Sequence, residues 1–334
     1  MKNYTVAVLG ATGIVGREML RILQERNFPV KNLIPLASSR SAGTTVPFYQ
    51  ENIPVQDAQN ADFTGVDLVL GAAENDVAQA MATAIVEAGA VFIDNSSAFR
   101  LDPTVPLVVP QINGEDVKDH HGIIANPNCT TTIALTAVAP LRTLAGIGSI
   151  WAASYQAVSG AGAAGLAELV QQSRALLEGK SHPPRAFAHQ IAYNLIPQIG
   201  AHQMLGYTTE EMKMQFEGRK IFHQPDLSVS CTCVRVPVMR SHSVAISIGF
   251  DRPVEVENAR QILYEAPGCL LLDDLTHGEY PMPLLASDQD SVLVGRLRQN
   301  LGDECRLELF CCGDQLRRGA ATNAVEIAQL VIDN

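Results

Sequence analysis

The run Gly10-Ala11-Thr12-Gly13-Ile14-Val15-Gly16 constrains this chain more than any other stretch. Tyr4–Leu9 before it is a short apolar run of strand-like composition, and Val15, Met19, Leu20 and Leu23 after it recur at helical spacing. Glycines in a strand-to-helix turn permit the tight turn, let a pyrophosphate approach the backbone and allow close helix packing, with the helix N-terminus facing the anion. The spacing is G-x-x-G-x-x-G rather than G-x-G-x-x-G, so the strand–turn–helix context carries the argument. It predicts a dinucleotide site built from Gly10, Thr12, Gly13, Ile14, Val15 and Gly16. The alternative is a glycine-rich turn in another α/β fold.

Leu33–Leu36, Asp67–Leu70 and Ala90–Asp94 read as further strands, with a helix over Asp76–Glu87. Strands alternating with helices imply a parallel, doubly wound sheet. After Asn126 the pattern changes. Cys129–Leu141 reads as a buried helix, Ser149–Ala157 as a strand and Leu166–Leu177 as a helix. Lys180–Gly206 is rich in His, Pro and Gln with little periodicity, and predicts a long surface connection or a dimer-facing segment. Leu227–Pro237, Ser243–Phe250, Leu293–Arg298 and Arg306–Cys312 read as strands. In the second of these, Val244, Ile246, Ile248 and Phe250 alternate with smaller residues, as in an antiparallel strand with one buried face. Ala320–Ile332 reads as an amphipathic helix. The expected architecture is a nucleotide domain followed by an antiparallel α+β domain, which suits 334 residues at about 150 per domain.

A net charge of −11 gives no general attraction for nucleic acid or acidic lipid, so an anionic ligand must be held by local cations. No apolar run approaches the ~20 residues of a membrane span, and the start MKNYTVAVLG lacks a secretory signal's apolar region and cleavage site. Seven scattered cysteines, with Cys231/Cys233 and Cys311/Cys312 as close pairs, have no zinc-site spacing. Free thiols in a reducing cytoplasm, and no metal, are expected.

An NAD site wants a carboxylate ~20 residues beyond the glycine turn for the ribose 2′-hydroxyl. Between Glu25 and Glu51 there is none, and the second strand ends in Ala37-Ser38-Ser39-Arg40-Ser41. Hydroxyls and a guanidinium suit a 2′-phosphate. NADP is therefore expected, contacted by Ser38, Arg40 and Ser41; the alternative is a solvated surface turn.

Asn126-Pro127-Asn128-Cys129-Thr130-Thr131-Thr132 opens the buried helix. A thiol in the first turn feels the helix N-terminus, which favours the nucleophilic thiolate. Position alone leaves open an inert core cysteine.

At these residues the chain resembles a known family. N-x-N-C-T-T, the glycine run, Tyr155-Gln156-Ala157-Val158-Ser159-Gly160-Ala161-Gly162, Arg235-Val236-Pro237-Val238 with His242-Ser243, Gly295-Arg296-x-Arg298 and Gly319-Ala320-Ala321-Thr322-Asn323-Ala324 occur together and in order. The whole resembles bacterial aspartate-β-semialdehyde dehydrogenases. The resemblance implies a glyceraldehyde-3-phosphate-dehydrogenase-like α/β fold: a Rossmann-type doubly wound parallel sheet with a second α+β domain containing a mostly antiparallel sheet. It implies a cofactor domain over 1–128 with 315–334, and a catalytic and dimerisation domain over 129–314. It also implies a cytoplasmic homodimer or higher homo-oligomer.

The implied reaction is the phosphate-dependent interconversion of aspartyl-4-phosphate and aspartate semialdehyde with NADP(H). It feeds lysine (through diaminopimelate), threonine, methionine and isoleucine biosynthesis. Cys129 corresponds to the nucleophile, His242 to the acid–base residue, and Gln156 to a residue orienting the thioester. Arg235 corresponds to the carboxylate-binding arginine, and Arg100, Asn128 and Lys213 to the phosphate set. Glu211 corresponds to the acid that holds the substrate amine, although Thr208-Thr209-Glu210-Glu211 also reads as a capping box with Glu211 at N3. Ser159, Gly160 and Gln315 correspond to the nicotinamide surroundings. Gln315 stands where the family commonly has Asn, and Gly71-Ala72-Ala73-Glu74-Asn75 replaces a Gly/Ser-rich loop. The competing readings are an N-acetyl-glutamyl-phosphate reductase, which tends to carry G-C-Y-P at its cysteine; a glyceraldehyde-3-phosphate dehydrogenase, whose acidic ribose-binding residue is missing; and a non-catalytic NADP-binding paralogue.

Overall fold

A computed structural model describes residues 3–333. They form two compact units, one running to Asn128 and resuming at Ala320, the other spanning Cys129–Gly319.

The first unit contains β1 (Tyr4–Leu9), α1 (Ile14–Glu25), β2 (Val30–Ala37), a hairpin of β3 (Thr45–Phe48) and β4 (Glu51–Pro54), β5 (Gln56–Asp57), β6 (Leu68–Gly71), α2 (Asn75–Glu87), β7 (Val91–Asp94), α3 (Pro110–Asn113) and β8 (Ile123–Ala125). Six strands form one sheet in the order β5-β2-β1-β6-β7-β8, parallel throughout. With the hairpin set aside this is the 3-2-1-4-5-6 order, whose direction reverses between β1 and β6 and opens a crevice at their carboxyl ends. Val6 and Val8 face Met19, Leu23 and Val325. Ala7 and Leu9 face Ala78, Ile85 and Phe92 on the other side. Both faces of β1 are therefore buried, which is why its sequence is a continuous apolar run.

The C-terminal helix, Thr322–Asp333, starts behind a π-helical turn, Arg317–Ala321. Its Ala324, Val325 and Ala328 join the core of the first unit. Asn323, fully buried, donates through Nδ2 to Val108 O at 2.9 Å and to Asn126 Oδ1 at 2.5 Å. The residues just before this helix belong to the second unit, although the sequence placed the boundary at residue 315. Asp314 explains why: its buried carboxylate accepts from the N–H groups of Leu316 and Arg317, and Arg317 pairs with Asp290 at 2.9 Å.

The second unit contains α4 (Cys129–Val138), β9 (Ile147–Gln156), α5 (Gly162–Leu177), α6 (Thr209–Ile221), β10 (Ser228–Arg235), β11 (His242–Phe250), α7 (Val256–Glu265), β12 (Cys269–Leu271), α8 (Pro283–Ala286), β13 (Val292–Gln299) and β14 (Arg306–Gly313). Its sheet runs β10-β9-β11-β14-β13-β12. The central pairs are antiparallel, and the edge pairs β10–β9 and β12–β13 are parallel. The sheet is thus mixed, with an antiparallel centre. Pro140 explains why α4 stops at Val138 and continues as a 3-10 turn, Ala139–Thr143, rather than reaching Leu141 as a helix.

The segment 180–206 is more than a surface connection. Ile191 and Ala192 are fully buried against Val158 and Leu169. Two buried polar side chains of α5 hold it: Glu168 accepts from the N–H groups of Arg185 and Ala186, and Gln172 from those of Ile191 and Ala192. Its backbone bonds to side chains rather than to a helix or a long ladder, so no periodicity is written into it. No helix among the described residues is long and apolar enough to cross a membrane.

Replacing Asn323 by Ala leaves the Val108 carbonyl and the Asn126 amide oxygen without this donor. The expected loss is about 1–3 kcal/mol, read from the urea midpoint; an unchanged midpoint would contradict the pinning of the C-terminal helix.

Candidate active site

In the first unit, Gly10 sits at φ +83°, and a Cβ there would lie 2.4 Å from the Ala72 carbonyl oxygen, against the crevice between β1 and β6. A Cβ on Gly16 would lie 2.2 Å from Gly10 O. Side chains are thus excluded from the turn. Gly13 caps α1 without a side-chain hydrogen bond, and the first turn carries no acidic residue. The N-terminal amides of α1 therefore suit an anion. Ser38 and Arg40 are exposed beyond β2, and Ser41 N donates to Ser38 O at 2.8 Å. Pairing brings one carboxylate to this end of the sheet, Asp57 opposite Ala37, and it already accepts from Gln59 N at 3.1 Å. A dinucleotide fits this cradle. Asn75, in the altered loop, bonds Ser97 through both amide atoms. Arg100 is buried, donating through Nε to Asn126 O at 2.9 Å and through Nη2 to Asn95 O at 2.6 Å. It fixes the strand end just before buried Asn128.

In the second unit, three strand ends converge. Arg235 of β10 pairs with Gln156 of β9, and Ser243 of β11 with Tyr155. The period of two puts Gln156, Arg235 and His242 on the same face as the buried Val244 and Ile246, the face against which α4 packs. Cys129 is the first residue of α4 and is partly exposed. Gln156 Nε2 donates to Thr130 Oγ1, beside the thiol, and to Glu210 Oε1 at 3.3 Å. Arg235 Nη1 donates to Ala157 O at 2.8 Å, and its guanidinium lies 5.9 Å from the Phe187 ring centroid. Burial lowers the Arg235 pKa, while negative charge on Cys129 and Glu210 works against the shift. His242 is fully enclosed. Burial, reinforced by the Arg235 charge and opposed by Glu210, pushes its pKa down to about 3. A Cβ on Gly160 would lie 2.7 Å from Arg235 Nη1 and 3.3 Å from His242 Nε2, so the turn after β9 must leave that space empty.

Glu211, the acid expected to face the substrate amine, and its neighbour Glu210 are held differently. Glu211 completes a capping box with Thr208, and its other oxygen accepts from Cys233 N at 3.0 Å. Both its oxygens are spent on backbone. Glu210 instead meets Gln156 and pairs with Lys213 Nζ at 2.9 Å. The available signal was the i,i+3 spacing of Glu210 and Lys213, which puts them on one helix face.

Gln315, expected in the nicotinamide surroundings with Ser159, is bonded to protein through both amide atoms. Its Oε1 accepts from Ser241 N at 2.7 Å, and its Nε2 donates to Ser159 Oγ. It ties together the turns before His242 and after Ala157, so its amide is committed to protein. The longer Gln, standing where Asn is common, spans that gap. Other thiols suit catalysis less: burial raises Cys269 and Cys312 to about 12 and Cys311 well above its ordinary value.

Two family models match the chain: the NAD binding domain of semialdehyde dehydrogenases over residues 5–120, and their dimerisation domain over 138–318. The aspartate-semialdehyde dehydrogenase of Synechocystis sp. is 48% identical over 328 residues, covering 98% of this chain and 97% of that protein. The chain belongs to the aspartate-semialdehyde dehydrogenase family. Aspartate semialdehyde dehydrogenase II of Vibrio cholerae, solved in complex with ASA, has a TM-score of 0.98 at 41% identity, covering 100% of this chain and 99% of that one. The Candida albicans enzyme, solved with NADP, has a TM-score of 0.78 at 25% identity, covering 99% and 98%. The chain is thus an oxidoreductase of this family, with a nicotinamide-dinucleotide-binding domain joined to a mixed-sheet domain.

Three substitutions separate the roles in the second unit. Gly160→Ala is expected to cost about 10²-fold in kcat/KM with little change in Tm, because it displaces Arg235 and His242. Glu211→Gln is expected to lower stability by about 1–2 kcal/mol, because one amide oxygen cannot accept from both Thr208 N and Cys233 N; Glu210→Gln is expected chiefly to raise KM. Steady-state kinetics beside thermal melts read all three, and the reverse pattern for the two acids would restore Glu211 to the site.

Proposed function

We propose that this protein interconverts L-aspartyl-4-phosphate and L-aspartate 4-semialdehyde with NADP(H) and phosphate, through a thioester on Cys129. The observation that carries this reading is the gathering of Gln156, Arg235, His242 and Glu210 around the helix that begins with Cys129.

Cys129 attacks the acyl phosphate carbonyl, assisted by its place at the start of α4. Phosphate departs, leaving an aspartyl thioester, and collapse of the reduced adduct releases the aldehyde and the thiolate. Bound NADPH supplies the hydride for the reduction. Gln156, anchored to Thr130, holds the acyl group beside the sulfur. Arg235 grips the α-carboxylate; its Nη1 is fixed on Ala157, so the guanidinium is presented in one orientation. Glu210 takes the ammonium, and Lys213 takes the phosphate. An ammonium-binding carboxylate argues for a free amino group and against an N-acetylated substrate. Ser38, Arg40 and Ser41 are the contacts proposed for the 2′-phosphate.

The place of the reaction is cytoplasmic amino-acid biosynthesis. The outer face of the second sheet exposes Trp151 and Tyr155, the latter beside Phe310 at 6.4 Å between ring centroids. Exposed aromatic side chains on this face, with Trp151 lying under the Arg306 guanidinium, suit a second copy, as a homodimer or higher oligomer.

The direct test is NADP reduction by purified protein with L-aspartate semialdehyde, with and without phosphate. Turnover requiring both is expected. Phosphate-independent turnover, or no turnover while NADPH still binds, would overturn the reading. Cys129→Ser is expected to lose on the order of 10⁴-fold or more in kcat while keeping NADPH affinity. Arg40→Ala is expected to weaken NADPH by about 10- to 100-fold and leave NADH unchanged, as measured by fluorescence titration.

A further inference from the structure

Two glycines, one ending β14 and one just beyond it, bring backbone against the helix that starts with Cys129. A Cβ on Gly319 would lie 2.7 Å from Cys129 Cβ and 3.0 Å from Cys129 Cα. A Cβ on Gly313 would lie 2.9 Å from Ile133 Cγ1. Cys129 and Ile133 are four apart on α4, so they share one face, and that face rests on the two glycines. Neither glycine has a left-handed φ. Gly319 sits inside the π-helical turn Arg317–Ala321, in helical backbone that an alanine could also adopt. What requires glycine there is room beside Cys129 rather than freedom of the chain.

The backbone that carries Gly319 is held firmly. Gly319 N donates to Asp314 O at 3.0 Å, the long-reach bond of a π turn. The Asp314 side chain is fully buried, and both of its carboxylate oxygens are engaged. One accepts from Leu316 N at 2.9 Å and Arg317 N at 3.3 Å. The other accepts from Asp288 N at 2.7 Å and Arg240 Nε at 2.6 Å. Arg240 also pairs with Asp288 at 3.0 Å, and Arg317 with Asp290 at 2.9 Å. A single carboxylate thus joins three stretches of chain: the turn before β11, the turn after α8 and the turn that bears Gly319. On its other flank, the start of α4 meets the strand ends, where Gln156 Nε2 donates to Thr130 Oγ1. Cys129 therefore lies between a braced backbone and the cluster of Gln156 and Arg235.

We propose that Gly319 and Asp314 are positioning residues for the Cys129 thiol: the turn braced by Asp314 is a backbone stop against Cys129, and the missing side chain at Gly319 lets Cys129 sit where its sulfur meets the acyl carbon. The proposal rests on the thioester reading and adds no covalent step to it. Non-bonded carbons settle about 3.5–4.0 Å apart, so a Cβ at Gly319 would drive Cys129 away by roughly 1 Å. A displacement of that size costs on the order of 10²-fold when it misaligns a reacting atom. Asp314 acts at one remove, because losing its acceptors frees the turn rather than crowding the thiol.

The test compares Gly319→Ala, Asp314→Asn and wild-type enzyme in steady-state turnover of aspartate semialdehyde, in alkylation by iodoacetamide followed on the Cys129 peptide, and in thermal melts. A small alkylating reagent reaches the thiol from any open side, whereas the enzyme's own reaction needs one direction. Gly319→Ala is expected to lower kcat by about 10²-fold, with KM for aspartate semialdehyde and the alkylation rate each within about threefold of wild type. Asp314→Asn keeps the shape and one oxygen, which serves Leu316 and Arg317, while its amide nitrogen cannot accept from Arg240 or Asp288. It is expected to lower kcat by about tenfold with the same unchanged KM. An unaltered kcat in Gly319→Ala overturns the proposal, as does a loss of kcat matched by an equal loss of alkylation, which a general loosening of the fold would give. Should Gly319→Ala not fold, Asp314→Asn carries the same comparison, and wild-type kcat in it overturns the brace. Turnover retained by Cys129→Ser would instead remove the thioester reading, so the two failures are distinguishable.

Discussion

The Ala157 peptide group is held from both sides: Arg235 donates to its carbonyl, and its N–H donates to His242. Most of the second unit's arrangement serves that one group. β10 runs parallel to β9 and β11 antiparallel to it, so the end of β9 meets the end of one neighbour and the start of the other. A slip of one residue in either pairing would turn Arg235 or His242 to the opposite face. The register is secured along the whole of β9, and Gln156, Arg235 and His242 meet where it ends. Burying a guanidinium here costs desolvation, which the backbone carbonyl and the nearby Glu210 offset.

The first unit works by a different rule. Its sheet is buried on both faces, and the strand order reverses beside the glycine turn, so the anion-binding amides and the crevice coincide. The C-terminal helix completes the packing and is pinned by Asn323, whose partners lie beyond β8 and before α3. The same stretch of chain that ends in Asn126 thus anchors the helix, receives Arg100 and leads into Cys129. The chain's overall acidity is no obstacle to anionic ligands, because backbone amides and a few placed guanidiniums supply the local field.

Much of this was legible in the residues. Strands buried on two faces announce themselves as apolar runs, and the glycine spacing and N-P-N-C-T-T marked the turn before α1 and the start of α4. The less legible parts depend on side-chain direction or on partners far along the chain. Glu210 and Glu211 are neighbours of identical type; only the cap geometry shows that Glu211 bonds backbone while Glu210 meets Gln156 and Lys213. The segment 180–206 is ordered by Glu168 and Gln172 from α5, which no periodicity within the segment could reveal. The orientation of His242 is set by a backbone amide, and a backbone amide carries no sequence signature. The two bonds by which Gln315 bridges Ser241 and Ser159 join segments far apart in the sequence, which no local pattern reveals.

The measurement closest to the centre of this account is peptide mass spectrometry of the enzyme after brief exposure to aspartate semialdehyde and NADP without phosphate. One aspartyl adduct per chain is expected, carried on the Cys129 peptide and discharged when phosphate is added. An enzyme that turns over with no adduct on Cys129, or with the acyl group on another side chain, would contradict the mechanism built on this thiol and the strand ends around it.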